Sequence, residues 1–344
     1  MWPRSRQKTP KQFLPKFFGK KTLFAQTVER ARWLTSPEKI LVITNNDYVD
    51  EVLKQGEVIL SRNVIAEPQA KNTAMAMGVG ATYIKKLDPE AIILNFASDH
   101  IIDDREAFVE QMMLAAKVAA ESKTIVTIGL KPTYAHTGLG YIEAGEKMEG
   151  IYKVKSFKEK PGLATAEEFL RRGNYYWNAN LYVWSATAIW AAFQKYAPVI
   201  FGQIEAIDRA LGTAGERVSL ERSYKLVESI SIDYAVSEKA ENLLLVPATF
   251  VWSDVGDWKV VYDLKSKDEN GNVIENFGQS GWNIAIETKN CLIESSERLI
   301  ATVGVEDLVV VETSDAVVIG KRERAQEIKR IVEELKKKGK EEYL

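Results

Sequence analysis

Residues that form covalent crosslinks or bind transition metals are scarce in this chain. Among its 344 residues, one is a cysteine, Cys291, and two are histidines, His100 and His136. A single cysteine excludes an internal disulfide framework and a cysteine-rich metal site. Two histidines likewise exclude a multi-histidine metal centre.

Long apolar runs and long basic blocks are also missing. No apolar run approaches the roughly 20 residues that a membrane-spanning helix needs, and the opening segment MWPRSRQKTPKQF lacks the apolar core of a signal peptide. The 46 basic and 48 acidic residues give a formal net charge of −2, with no long basic block before the C-terminal tail. We therefore expect a cytoplasmic protein that binds neither a membrane nor nucleic acid.

The residues that are present favour a packed α/β domain, since 46% of them are apolar and 27% are charged. Short apolar runs at residues 40–43, 92–96 and 125–128 are typical of strands buried on both faces. Between the last two runs, apolar residues recur at helical spacing, at Phe108, Met112, Ala115 and Ala119. Alternation of strand and helix predicts a mostly parallel sheet covered by helices. Ligands of such sheets bind beyond the carboxyl ends of the strands.

The pattern changes near residue 268. Six short strand-like runs follow at intervals of about 8–10 residues, a spacing typical of an all-β unit such as a short β-helix. They lie at residues 273–274, 282–286, 292–293, 299–303, 308–311 and 317–319. We predict two domains, an α/β domain at 1–267 and a short β-helix-like domain at 268–344. Stacked rungs leave an edge that needs covering, which favours a homodimer.

The chain is predicted to close with one helix after the last strand. Its apolar stripe consists of Ile328, Ile331, Val332 and Leu335. The lysines that follow place positive charge at the carboxyl end of that helix, where the helix dipole favours it.

Two aspartates follow strand-like runs. Asp99 lies in the segment NFASDH and Asp254 in the segment WSDVGDW. Carboxylates at such positions can hold Mg²⁺ over a phosphate, although a strand-end aspartate taken alone is more typical of a turn or a helix cap. The sequence does not show whether the two residues meet.

Two further segments have both a chemical and a structural interpretation. In FKEKP, Glu159 can accept from sugar hydroxyls while Lys160 faces a phosphate, or the segment is an exposed charged turn. In EPQAKNTA, the Glu67 carboxylate can accept from the N1 and N2 donors of guanine. Asn72 and Thr73 in the same segment can instead cap a helix.

The order of the short segments along the chain is more specific than any one of them. EPQAKNTA, ASDH, GLGYI, FKEKP, YWNANLY, SIDYAV and WSDVGDW follow one another over residues 67 to 258. With TPKQFL at residues 9–14, this order resembles the mannose-1-phosphate guanylyltransferases over nearly the whole chain. The resemblance implies an α/β fold, a Rossmann-like nucleotide-diphospho-sugar transferase domain followed by a small β-helix-like domain. It also implies that GMP passes from GTP to mannose 1-phosphate with Mg²⁺, giving GDP-mannose and pyrophosphate.

The resemblance also implies roles for individual residues. The nucleotide would be bound by Lys11, Glu67, Asn72, Thr73 and Asp99. Mannose 1-phosphate would be bound by Gly140, Tyr141, Glu159, Lys160 and Asn178. Mg²⁺ would be held by Asp99 and Asp254. Lys11, Asp99 and Lys160 would be the catalytic residues.

The chain departs from the family at two places. The family has a strand and a glycine-rich GGxGxR loop directly before its Trp-Pro-x-Ser-Arg segment, whereas here Trp2 follows Met1. We expect either that the natural start lies upstream or that a shorter form binds sugar nucleotides without catalysis. A nucleotidyltransferase for another sugar 1-phosphate is the remaining alternative. At the second place, Asn180 replaces a glycine, and asparagine tolerates left-handed backbone better than most residues.

Overall fold

The computed structural model describes all residues from Met1 to Leu344 and divides into two compact units. The first, here called the β-helix unit, comprises Met1–Thr27, Ser98–Ile101 and Ser253–Leu344. The second, the sheet unit, comprises Val28–Ala97 and Ile102–Trp252. These units divide the chain differently from the predicted domains 1–267 and 268–344, which stay a prediction.

The chain contains sixteen strands and ten α-helices. The strands are β1 (Val42–Asn45), β2 (Val64–Glu67), β3 (Ile92–Asn95), β4 (Ile101–Ile102), β5 (Ile125–Leu130), β6 (Tyr141–Met148), β7 (Ile151–Lys158), β8 (Tyr175–Ser185), β9 (Leu243–Pro247), β10 (Trp252–Ser253), β11 (Val273–Asn276), β12 (Trp282–Ile286), β13 (Leu292–Ser295), β14 (Leu299–Val303), β15 (Leu308–Glu312) and β16 (Val317–Lys321). The helices are α1 (Leu23–Arg32), α2 (Val49–Gln55), α3 (Asn72–Leu87), α4 (Arg105–Ser122), α5 (Leu163–Arg172), α6 (Ala186–Tyr196), α7 (Pro198–Ala210), α8 (Glu216–Leu226), α9 (Trp258–Leu264) and α10 (Ile328–Lys337).

The sheet unit contains a six-stranded sheet in the order β3-β8-β5-β9-β7-β6, and β6 also pairs with β8. Only β5 and β9 pair in parallel within it. β8 pairs antiparallel with β3, β5 and β6, and β7 pairs antiparallel with β6 and β9. A separate pair, β1 and β2, is parallel. The prediction of a mostly parallel sheet is therefore wrong. Apolar runs reveal burial on both faces but carry no information on strand direction.

Helices cover both faces of this sheet, so the predicted α/β class is confirmed. All four residues of the predicted helical stripe are fully buried in α4, where they pack against β5 and β8. Residues of β8 alternate between the two layers. Val183 belongs to the core under α4, whereas Tyr182 and Trp184 belong to the core under α3, α6 and α7.

The β-helix unit stacks its strands in two parallel sets. β11, β13 and β15 form one sheet, which β16 closes by antiparallel pairing, and β12 and β14 form the other. All six strands predicted after residue 268 are present, and the short β-helix is confirmed. Cys291, Ile293 and Val310 form an apolar core with Ile300. The predicted closing helix is α10, whose Ile328 packs into a second core of this unit.

None of the helices combines the length and the apolar character that a membrane-spanning helix needs.

Candidate active site

Lys11 lies in a short 3-10 helix, Lys11–Phe13, that follows Pro10. The neighbouring Phe13 and Leu14 are buried, which anchors the segment while the lysine remains partly exposed. The Lys11 Nζ atom lies 2.9 Å from Asp99 Oδ2 and donates to the backbone oxygen of Asp254 at 2.5 Å. One lysine thus bridges the two aspartates that the sequence singled out, and all three residues belong to the β-helix unit.

The Asp99 carboxylate is one-third exposed and faces two basic side chains. Burial acts to raise its pKa, but the charges of Lys11 and of His100, whose Nε2 lies 3.7 Å from Asp99 Oδ1, together with hydrogen bonds to the carboxylate, outweigh burial. The pKa of Asp99 is therefore lowered, and the carboxylate is ionised near neutral pH.

Asp254 lies in the turn that follows β10. The next residue, Val255, has a positive φ of 47°, and a Cβ atom on Gly256 would lie 3.0 Å from Asp254 Oδ2. The carboxylate is therefore folded over the backbone of Gly256 in a tight turn. No group of three or more histidine, cysteine, aspartate or glutamate side chains is arranged to hold a metal ion in this structure.

The segment EPQAKNTA lies in the sheet unit, where it joins β2 to α3. Glu67 ends β2, and its Oε1 accepts from the Tyr224 hydroxyl at 2.9 Å. Burial raises the pKa of Glu67, and the hydrogen bond from Tyr224 opposes that rise only in part. This carboxylate is therefore held in place and incompletely solvated. Both properties suit a group that recognises a nucleobase by hydrogen bonds.

The helix start predicted at Asn72 and Thr73 is confirmed, since α3 begins at Asn72. Asn72 has a φ of 66°, and its Oδ1 accepts from the Thr73 N–H at 2.8 Å. The Thr73 hydroxyl oxygen accepts from the N–H of Ile232 at 2.9 Å. Thr73 therefore tethers the helix start to the SIDYAV segment.

Asn178 lies at the centre of a buried hydrogen-bond network in the sheet unit. Its Nδ2 donates to Asp233 Oδ1 at 2.9 Å, and its Oδ1 accepts from the Thr127 hydroxyl at 3.1 Å. The same Asp233 oxygen accepts from the Tyr182 hydroxyl at 2.8 Å. Burial raises the pKa of Tyr182 well above its ordinary value, so its hydroxyl remains a donor. The network fixes the orientation of the Asn178 amide.

Asp233 is the residue that sequence reasoning missed. It lies within SIDYAV, a segment quoted above without a role for its aspartate, and the structure buries it in a short π-helix, Asp233–Ser237. A lone aspartate in an otherwise apolar run was the available signal. π-Helical turns occur frequently at functional sites.

Glu159 and Gly140 fit together closely. A Cβ atom on Gly140 would lie 2.5 Å from Glu159 Oε2 and 3.1 Å from the Phe157 ring, so only glycine leaves room for the carboxylate. The Gly140 backbone oxygen also accepts from the N–H of Asn178 at 2.8 Å. Burial, with a further contribution from the Asp233 charge, raises the pKa of Glu159.

Lys160 lies beside this carboxylate in a backbone conformation with a φ of 43°. Its Nζ is 2.9 Å from Glu159 Oε1, and just over half of its side chain is exposed. Burial acts to lower the pKa of Lys160, but the hydrogen bond to Glu159 and the negative charges of Glu159 and Asp233 together outweigh burial, and the pKa is raised. Lys160 is thus a protonated lysine with access to solvent.

Tyr141 is fully buried, unlike the partly exposed Lys160. Its hydroxyl accepts from the N–H of His136 at 2.8 Å, and its ring packs against Phe169 with centroids 5.5 Å apart. These contacts give the side chain a structural role, and its role in binding substrate stays a prediction. Asn180 has the left-handed backbone that its replacement of glycine predicts, with a φ of 52°.

Comparison with known families identifies both parts of the chain. A family model described as nucleotidyl transferase matches residues 1–271. A second, described as the MannoseP isomerase/GMP-like beta-helix domain, matches residues 281–335. The second match covers the strands of the observed β-helix from β12 onward.

Similar proteins span the whole chain. A mannose-1-phosphate guanylyltransferase 2 of Escherichia coli O157:H7 is 36% identical over all of this chain and 72% of its own length. A mannose-1-phosphate guanylyltransferase of Klebsiella pneumoniae is 35% identical over all of this chain and 73% of its own. A crystal structure from Thermus thermophilus, described as mannose-1-phosphate geranyltransferase, is 32% identical with a TM-score of 0.87. That match covers 98% of this chain and 95% of the other.

Proposed function

The chain belongs to the nucleotidyl transferase family, and from that premise we propose that it transfers GMP from GTP to mannose 1-phosphate. The products are GDP-mannose and pyrophosphate. The observation that carries this assignment is the similarity, at about 35% identity over the whole chain, to proteins named mannose-1-phosphate guanylyltransferase. A cytoplasmic location stays a prediction from the sequence.

We assign the binding of mannose 1-phosphate to the cluster around Gly140 in the sheet unit. Glu159 and the oriented Asn178 amide supply acceptors and donors for sugar hydroxyls. Lys160 supplies a positive charge for the phosphate, which matches its protonated state and partial exposure. Asp233 does not need to touch the sugar, because it acts by orienting Asn178.

In the sheet unit we assign recognition of the guanine nucleoside to Glu67, Asn72 and Thr73. In the β-helix unit we assign contacts with the phosphates of GTP to Lys11 and Asp99. The Glu67 carboxylate can accept from guanine N1 and N2, a donor pair that adenine lacks. Its bond to Tyr224 holds one carboxylate oxygen in a fixed direction. Lys11 supplies the charge for the phosphates, and Asp99 keeps that lysine in place.

Asp99 and Asp254 fit a Mg²⁺ ion that takes only part of its coordination from protein. The carboxylate of Asp99 is ionised, and the backbone oxygen of Asp254 accepts from the lysine that pairs with Asp99. Mg²⁺ usually keeps several waters and binds through one or two carboxylates plus substrate phosphates, so a set of three protein ligands is not required. When bound, the ion neutralises charge on the phosphate oxygens.

The protein promotes the reaction by positioning the two substrates. A phosphate oxygen of mannose 1-phosphate attacks the α-phosphorus of GTP, a new phosphorus–oxygen bond forms, and the bond between the α-phosphorus and the bridging oxygen breaks as pyrophosphate leaves. The attacking oxygen is already ionised, so no side chain has to remove a proton. Lys160 and Lys11 hold the two reactants and stabilise negative charge. The chain needs no side-chain nucleophile, in keeping with the buried position of its only cysteine.

A panel of nucleotides tests the assignment. We expect pyrophosphate release with GTP and mannose 1-phosphate to exceed release with ATP, UTP or dTTP by at least about a hundredfold, because a site built to pair with hydrogen-bond donors strongly rejects bases that lack them. Replacing mannose 1-phosphate by glucose 1-phosphate tests the sugar in the same assay. A preference for a non-guanine nucleotide, or for the glucose compound, would overturn the assignment.

Replacing Gly140 by alanine tests the sugar-phosphate site. The added methyl group would overlap Glu159 Oε2, and overpacking of this kind costs about 1–3 kcal/mol. We expect Gly140→Ala to raise KM for mannose 1-phosphate about 10- to 100-fold while KM for GTP stays within about twofold. The matched control is Gly202→Ala, where the methyl group meets no atom within 4 Å. Equal effects on both KM values would argue against the assigned site.

A further inference from the structure

The turn that carries Glu159 and Lys160 has a strained backbone. Lys160 has a φ of 43°, a left-handed conformation that is uncommon for residues other than glycine. It also precedes Pro161, and the residue before a proline prefers extended backbone. Such a conformation persists only where the surrounding structure holds it. The turn must therefore be held by contacts with another part of the chain.

Glu238 supplies a contact of this kind. Its Oε1 accepts from the backbone N–H of Glu159 at 2.8 Å. The Glu238 side chain is 21% exposed, so this charge-assisted hydrogen bond is largely shielded from water. The same oxygen is 3.5 Å from the Nζ of Lys158, whose side chain is 56% exposed. Because an exposed ion pair contributes little, the hydrogen bond to Glu159 is the contact that fixes the turn.

The π-helix Asp233–Ser237 brings Glu238 and Asp233 to the same side of the chain. The N–H of Glu238 donates to the backbone oxygen of Asp233 at 2.9 Å, and this i→i+5 bond is the one that defines a π-helical turn. Five residues thus complete about one turn. In an α-helix, with about 3.6 residues per turn, residues five apart face different directions. The π-helical geometry is therefore what lets both acidic side chains reach the same cluster.

The contacts of the two acidic side chains converge on the cluster around Gly140. Asp233 accepts from the Asn178 amide at 2.9 Å, and Glu238 accepts from the N–H of Glu159. The Glu159 carboxylate lies against Gly140, whose backbone oxygen accepts from the N–H of Asn178 at 2.8 Å. One short helical element thus orients both the amide of Asn178 and the turn at Glu159.

We propose that Glu238 is a positioning residue for the sugar phosphate. Through the N–H of Glu159 it holds the Glu159 carboxylate towards the sugar hydroxyls and the neighbouring Lys160 ammonium towards the phosphate. Glu238 acts through these two residues and does not touch the ligand. This inference rests on the proposed binding of mannose 1-phosphate at the cluster around Gly140.

Two conservative variants separate the hydrogen bond of Glu238 from its charge. Glu238→Asp keeps the carboxylate but shortens the side chain by one methylene group, which withdraws the acceptor from the N–H of Glu159. Glu238→Gln removes the charge but keeps an acceptor oxygen at the same reach. A role in positioning through the hydrogen bond therefore requires that Glu238→Asp be impaired and that Glu238→Gln restore the wild-type behaviour.

Titration calorimetry on the full chain, with GDP-mannose and GMP as probes, tests the proposal. GMP lacks the mannose 1-phosphate part of GDP-mannose. We expect Glu238→Asp to weaken binding of GDP-mannose about tenfold, because a charge-assisted hydrogen bond is lost, and to leave binding of GMP within about twofold. Glu238→Gln should bind both probes within about twofold of the wild type.

Steady-state kinetics give a second readout. We expect Glu238→Asp to raise KM for mannose 1-phosphate about tenfold while KM for GTP stays within about twofold, a split that a loss of folded protein would not produce. The matched control is Glu241→Asp. Glu241 lies three residues further along the chain and also pairs with a lysine, Lys195, at 3.0 Å, but its side chain is 82% exposed. This variant should match the wild type.

The outcomes distinguish this inference from the assignment on which it rests. Wild-type binding of GDP-mannose by Glu238→Asp would overturn the inference, and so would equal weakening by Glu238→Asp and Glu238→Gln. Weaker binding of GDP-mannose and GMP alike would show a structural role and would also overturn it. A wild type that binds GDP-mannose no more tightly than GMP would instead contradict the assigned sugar-phosphate site, and the inference with it.

Discussion

Asp99→Asn is expected to lower kcat for pyrophosphate release about a thousandfold or more. Removing one preorganised charge or donor at a reacting phosphate costs about 10²–10³ in rate, and Asp99 has two roles. Its carboxylate holds Lys11 by a contact of 2.9 Å, and it belongs to the proposed Mg²⁺ site with a lowered pKa. We therefore also expect the Mg²⁺ concentration for half-maximal rate to rise. Steady-state kinetics over a Mg²⁺ titration measure both effects.

The same unit offers a matched control for this prediction. Lys259 and Asp263 form a second lysine–aspartate pair, 2.5 Å apart, on the surface of α9 with both side chains about half exposed. Asp263→Asn removes the same charge from the same kind of pair and should leave kcat within about twofold, because exposed pairs contribute little. Retention of more than a tenth of the wild-type kcat by Asp99→Asn would exclude the proposed role.

Arg4→Met is expected to lower the free energy of unfolding by about 3 kcal/mol, the lower end of the range for breaking a buried ion pair. The buried Glu294 carboxylate would keep only its weaker partner Lys265, whose Nζ is 3.3 Å from Oε1. Arg4 Nη1 lies 2.8 Å from Glu294 Oε2, and the two side chains are 2% and 0% exposed. The guanidinium also donates to the backbone oxygen of Pro15 at 3.0 Å and lies over the Phe277 ring at 3.9 Å. Urea unfolding followed by tryptophan fluorescence measures the loss.

An exposed ion pair in the same unit serves as the control for Arg4. Arg324→Met removes an ion pair with Glu327 in which the two side chains are 64% and 41% exposed. We expect this variant to leave the free energy of unfolding close to that of the wild type, because exposed pairs contribute little. The double variant Arg4→Met with Glu294→Leu should recover part of the loss, since it removes the buried carboxylate as well. Equal destabilisation by Arg4→Met and Arg324→Met would contradict the prediction.

The Arg4–Glu294 pair explains why the N-terminal segment and the β-helix form one compact unit. Arg4 joins the strand that contains Glu294 to the turn at Pro15, and Lys11 lies between those anchors in sequence. Lys11, Asp99 and Asp254 thus share a unit with the β-helix, whereas Glu159 and Asn178 belong to the sheet unit. No pattern in the sequence pairs Arg4 with a residue 290 positions away.

Local patterns in the sequence nevertheless predicted a large part of the fold. The stripe of α4, the six strands after residue 268 and the start of α3 follow from spacing and turn chemistry, which act over a few residues and are therefore readable in order along the chain. The left-handed backbone of Asn180 follows in the same way. The family was predicted from the order of short segments, because that order can be read from the sequence without knowledge of the fold.

The order of residues alone established which positions carry charge and hydrogen-bonding groups, which runs are buried, and the family to which the chain belongs. Folding in three dimensions set the direction of β8, the contacts of Lys11 with Asp99 and Asp254, and the hydrogen bond by which Asp233 orients Asn178. It also set which side of β12 and β14 is exposed. Each of these depends on pairing between distant segments. Burial and helical periodicity are local properties, whereas strand direction, buried ion pairs and exposed faces depend on which distant segment fills the neighbouring space.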